Sequence, residues 1–112
     1  MQEEIKQGLR VVTLDDLKGQ MRIDFEEDDA QILIYGIAAE DAIINMTRRS
    51  IDELIQENKR RSGIEDFPKM LYVAILILAA QLYKYREPVS GINQVTVPYT
   101  LEFMVKPWIR LV

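Results

Sequence analysis

The run DFEEDD at residues 24–29 is the densest cluster of potential metal ligands or proton carriers in this chain. A calcium loop of the helix–loop–helix type needs glycine at its sixth position and glutamate at its twelfth. Counted from Asp24, those positions hold Asp29 and Tyr35, so both the turn and the bidentate ligand are missing. Acid–base catalysis by paired carboxylates needs a second group held opposite the first, and nothing in the sequence brings one there. The run suits a simpler role, since negative charge in the first turns of a helix offsets the positive end of its dipole.

The rest of the catalytic inventory is as bare. The chain has no histidine and no cysteine, which removes Ser-His and Cys-His arrangements, thiolate metal sites and disulfides. No phosphate loop, GxGxxG or GxSxG is present. The sequence therefore predicts no enzyme, no catalytic residue, no cofactor and no metal.

What remains is chemistry of contact. Arg48 and Arg49 in TRR, and Lys59, Arg60 and Arg61 in NKRR, are short basic runs. As solvated helix ends they need no function; read functionally, they are candidates to meet DNA phosphates or an acidic partner surface. Tyr99, Phe103 and Trp108 lie on a proline-punctuated segment near the C-terminus, a setting typical of interface anchors, with packing onto the chain's own core as the alternative. Tyr83, Arg86 and Glu87 stand where a long apolar run ends, placed to pair across a subunit boundary or to close a helix.

These residues must be carried by a single domain, because 112 residues suit one, here 1–112. Residues 1–12 read as a flexible N-terminus without the apolar core of a signal peptide, and 88–112 as a C-terminal arm or docking segment. Residues 1–47 carry four basic and eleven acidic side chains, a net −7; residues 48–112 carry ten and seven, a net +3, which together give the formal −4. That balance opposes a general nucleic-acid binder and gives an acidic and a mildly basic end.

Periodicity predicts helices throughout. Thr13 and Asp16 bracket a start for a short helix over 14–21, with Leu14, Leu17 and Met21 at helical spacing. A longer helix is expected over about 26–48, capped by Asp24, with acid at its start and Arg48 and Arg49 at its end. Gly36 inside it weakens the helix by up to about 1 kcal/mol relative to alanine, which points to close approach by another group. Ser50 and Glu53 form a capping box for a peripheral third helix that Gly63 can close. After Asp66 as cap and Pro68 near the first turn, the fourth helix runs over about 68–86. Val95–Val97 can be extended, and Pro98 opens a last short helix that Pro107 stops.

The fourth helix is the one that needs company. From Met70 to Tyr83 only Gln81 is overtly polar. Fourteen residues make roughly 21 Å of helix against a hydrocarbon core of about 30 Å, so no membrane span is expected. Being apolar on every side, it belongs at the centre of a bundle. The fold class expected is all-α: a small bundle of four to five helices around this central helix, with an irregular, partly extended C-terminal segment. Its remaining apolar surface is covered either by the rest of the chain or by a neighbouring subunit.

The order of these features resembles the head–tail connector (adaptor, "phage DNA-packaging protein") family of tailed bacteriophages. The resemblance spans about residues 11–110. It runs from VTLDDLKGQMRID and EEDDAQILIYGIAAEDAI through LYKYREP to VPYTLEFMVKPW. Its most specific positions are Leu14, Leu17, Lys18, Arg22, Ile23 and Asp24, and the block from Ala74 through Glu87. SIDELIQENKRRSG departs from the pattern, being longer than the usual connection.

The resemblance implies a structural virion protein at the head–tail junction, made in the bacterial host cytoplasm. It would form a ring, twelvefold in the particle, that connects portal and capsid to the tail and continues the DNA channel without catalysis. Implied partners are other copies of itself, the portal protein, a head-completion or tail protein, and DNA passing without sequence specificity. The competing reading is a small helical binding module, a DNA-packaging accessory or regulator acting as monomer or dimer. In the ring reading, replacing Trp108 by alanine weakens assembly more than folding.

Overall fold

The computed structural model describes residues 8–85 and 99–111, with the Tyr99 side chain outside that set. All regular structure among them is helical: α1 Leu14–Met21, α2 Asp29–Thr47, α3 Ile51–Ser62, α4 Lys69–Lys84 and α5 Tyr99–Val105, then a 3-10 turn at Lys106–Trp108. The all-α class and the central apolar helix are as expected. Val95–Val97, Arg86 and Glu87 lie outside the described residues.

Helix ends follow the local chemistry closely. Thr13 caps α1 by accepting the Asp16 N–H while the Asp16 carboxylate accepts the Thr13 N–H, and Ser50 with Glu53 repeats this reciprocal pair on α3. Gly63 ends α3 at φ 82, the left-handed conformation that glycine adopts without a Cβ penalty. Two starts differ from expectation. α2 begins at Asp29 with Asp28, not Asp24, in the cap position, so Asp24–Glu27 precede the helix, the Asp29 N–H closing a turn onto the Glu26 carbonyl. Before α4, the Asp66 carboxylate accepts the Phe67 N–H and Pro68 holds the cap position, because proline's fixed φ suits the chain just outside a first turn.

α4 packs chiefly against α2, and also against α5 and α1. Leu71, Ala74, Ile75, Leu76, Leu78 and Ala79 are buried along it, and each buried leucine or isoleucine contributes about 2 kcal/mol relative to exposure. α3 is peripheral as expected, with Leu54 its buried side chain. Gly36 answers to the close approach its presence implied. A Cβ there would collide with Leu17 Cδ1 and lie 3.3 Å from Leu9 Cδ2, so glycine lets α1 and the preceding segment seat directly on α2.

That preceding segment bears on the flexible N-terminus expected over 1–12. Within the described part, Leu9 and Val12 are buried in the core. Glu40, wholly buried on α2, holds the backbone in place: its carboxylate accepts N–H groups from Arg10 at 2.9 Å, Val11 at 2.7 Å and Val12 at 2.9 Å. Three charge-assisted hydrogen bonds replace the water that a buried carboxylate loses. Residues 8–12 are thus docked on the bundle.

Candidate assembly surface

The described residues form two ends of different character. α2 and α4 run antiparallel, since the Tyr83 hydroxyl near the end of α4 donates to the Asp28 carboxylate just before α2, and Tyr83 meets Tyr35 edge-to-face at 6.4 Å. The acidic turn Asp24–Asp29 and the end of α4 therefore share one end of the molecule. Lys18 reaches Asp29 there at 2.7 Å, and this bond raises the lysine's pKa. Exposed at the same end are Asp24, Phe25, Glu26 and Glu27. The opposite end carries the close of α2, the whole of α3 and the start of α4, with Arg48, Lys59, Arg60 and Lys69 exposed among the acids Asp52, Glu53, Glu65 and Asp66.

At that second end the structure joins two groups that the sequence kept apart. Trp108 lies buried in the chain's own core, 8% exposed, with the Arg61 guanidinium 4.3 Å above its ring. Arg61 Nη2 donates to the Pro107 carbonyl at 2.9 Å, and Arg49 Nε donates to the Trp108 carbonyl at 3.1 Å. Two residues on, the Arg110 N–H donates to the Thr47 carbonyl at 2.8 Å and its guanidinium reaches Glu53 at 2.6 Å. Arg49, in the turn between α2 and α3, and Arg61 of α3 thus hold the carbonyls of Trp108 and Pro107, and the Thr47 carbonyl holds the backbone at Arg110. Cation–π contact and charged donors to carbonyls are stronger than neutral pairs when partly desolvated.

Glu57 organises these arginines. Its carboxylate accepts from Arg60 and from Arg61 at 2.8 Å and lies 3.8 Å from Arg49. Hydrogen bonds from Arg60, then Arg61, pull its pKa from 4.5 down to about 2. A carboxyl depressed on folding stabilises the folded state above its unfolded pKa, and that contribution is lost as pH falls through the folded value. Between about pH 4.5 and 2 the grip on residues 107–110 is therefore expected to weaken. Trp108 is the sole tryptophan, so its emission reports the change directly. Wild-type emission should shift to the red across this window, and Glu57→Gln should flatten the transition; identical profiles would contradict the assignment.

The candidate residues divide as follows. Phe103 is exposed at 61%, Trp108 is buried, and Tyr83 is half-buried against Asp28 and Tyr35. Tyr99 is the first residue of α5, and Arg86 and Glu87 fall outside the described residues. Of the basic candidates, Arg49, Arg60 and Arg61 meet Glu57, and Lys59 pairs with Glu65 at 3.4 Å. Arg48 is exposed at the left-handed end of α2, at φ 59, with no ion pair among the described residues. Glu40, Glu57 and Arg110 escaped the sequence reading. A signal did exist for Glu40, which repeats four residues after Gly36 on the face that also carries Ile43 and Ile44.

Among the described residues no group of three or more acidic side chains is arranged as a metal site. No described helix is long and apolar enough to cross a membrane. Among the described residues the hollows are shallow, one of about 280 Å³ lined by Met46, Glu102, Lys106 and Ile109 and one of about 370 Å³ lined by Arg49, Asp52, Glu53, Gln56, Glu57 and Arg60. The described surface offers contact instead: the two ends differ in charge balance, and Phe25, Ile34, Met46, Ile64, Met70, Val73, Phe103 and Leu111 leave apolar side chains exposed. No curated protein and no solved structure matches the chain. A family model described as phage gp6-like head–tail connector protein matches residues 11–108. The chain belongs to this family of structural phage connectors.

Proposed function

We propose that this protein is a structural virion component that forms a ring at the head–tail junction, joining the portal to the tail and continuing the DNA channel. Family membership across residues 11–108 is the observation that carries the reading. The difference in charge balance between the two ends supports it, because subunits repeating around a ring meet through different faces. The ring is twelvefold in the particle, its subunits made in the host cytoplasm. The portal lies on one side and a head-completion or tail protein on the other.

Two regions carry the docking in this reading. One is the end of α4 with Tyr83, Arg86 and Glu87. The other is the segment of Tyr99, Phe103 and Trp108, in which buried Trp108 fixes the backbone and exposed Phe103 meets the partner. Arg48, exposed and with no ion pair among the described residues, is the basic candidate best placed to touch passing DNA, whereas exposed Lys59 and Arg60 already pair with Glu65 and Glu57. Light scattering of the purified chain, alone and mixed with its portal, tests the proposal. Assembly into a closed multimer, or portal-dependent recruitment, is expected. A monomer at high concentration that ignores the portal would instead favour a packaging accessory acting alone.

A further inference from the structure

Two helices present solvent faces almost free of charge. On α2, Ile34, Ala38 and Asn45 lie roughly opposite the buried Ile32, Ala39 and Ile43 at 100° per residue, and Ile34 is 62% exposed. The one exposed charge along this stretch is Asp41, already paired with Arg10. On α4, Met70 and Val73 are 47% and 38% exposed, and Ile77 continues their stripe. No charged residue lies between Lys69 and Lys84.

Because α2 and α4 pack on each other through their buried sides, these two faces, whose one exposed charge is the paired Asp41, point away from that contact. Two different apolar faces on opposite sides of one helix pair suit a heterologous contact, which repeats from subunit to subunit. Charge sets the direction. Asp24, Glu26 and Glu27 stand exposed beside the start of α2, and Lys84 stands exposed at the end of α4, none with an ion-pair partner among the described residues. The two helices are antiparallel within the chain, and a modest rotation between neighbouring copies keeps them so. Lys84 of the next copy then falls beside the acidic start of α2.

We infer that a second copy of this chain covers these faces: α2 of one subunit packs against α4 of the next. Ile34 seats on Met70, Val73 and Ile77, while Lys84 faces Glu26 and Glu27. The inference rests on the ring reading above and adds which faces meet and in which direction.

The absence of native cysteine gives a clean test. The double variant Ile34→Cys, Val73→Cys, oxidised after assembly, should give a ladder of disulfide-linked multimers on a non-reducing gel. Neither single variant should give one. A double variant that assembles like wild type by native mass spectrometry yet forms no ladder overturns the seam while leaving the ring reading intact. Dimers from Ile34→Cys alone would overturn the heterologous arrangement. As a second measurement, Ile34→Asp should lower the assembled fraction at least tenfold without changing helicity or melting temperature; unchanged assembly counts against the seam. A wild-type chain that remains monomeric with and without portal overturns the ring reading, and the seam with it.

Discussion

Glu40→Ala is expected to lower the unfolding free energy by about 3 kcal/mol, the loss of three charge-assisted hydrogen bonds less what relaxation and entering water recover. The Glu40 carboxylate has no exposed surface, and the N–H groups of Arg10, Val11 and Val12 all point to it. Val12 is itself buried, so its orphaned N–H has the poorest access to water. For a domain of this size such a loss lowers the melting temperature by roughly 15 °C. Urea denaturation measures the energy, and amide exchange locates it: protection at residues 10–12 should fall before that of α2 and α4. Glu40→Gln keeps one accepting oxygen and should cost less than alanine. Equal stability of Glu40→Ala and wild type would contradict the assigned role.

Trp108→Ala carries the second large effect. The sequence allowed this side chain to be either an interface anchor or part of the chain's own core; the structure buries it under Arg61. Truncating a buried tryptophan costs about 3–5 kcal/mol through lost transfer energy and the cavity left behind. The loss should be local at first, releasing Arg61 and Arg49 from the carbonyls of Pro107 and Trp108. Stability and assembly are therefore expected to fall together. Phe103→Ala, at an exposed position, should leave stability nearly unchanged and lower assembly. Thermal melts and light scattering on the two variants separate the roles. A Trp108→Ala chain as stable as wild type would contradict the packing described.

Helix positions could be read from the sequence wherever the governing chemistry was local. Thr13 with Asp16, and Ser50 with Glu53, signal helix starts because both partners lie within four residues. Gly36 announced a close approach, although which residue approached could not be read; Leu17 and Leu9 come from elsewhere in the chain. Asp24 reads as a cap because it precedes an acidic run, but any of several acids there satisfies that pattern, and Asp28 takes the position. The pairing of basic runs with Trp108 was hidden for a different reason. Arg49 and Trp108 are 59 residues apart, and no local rule links a helix-end arginine to a distant carbonyl. Glu40 gives no decisive local signal, because a lone acid in an apolar helix resembles a surface position until the segment it binds is placed.

Imaging the junction by electron cryo-microscopy, with the chain bound to its portal, tests the connector assignment most directly. The account predicts a closed ring of this chain coaxial with the portal channel, with α2 of each subunit against α4 of the next. A portal end bare of the chain, or single copies bound off the channel axis, would contradict it.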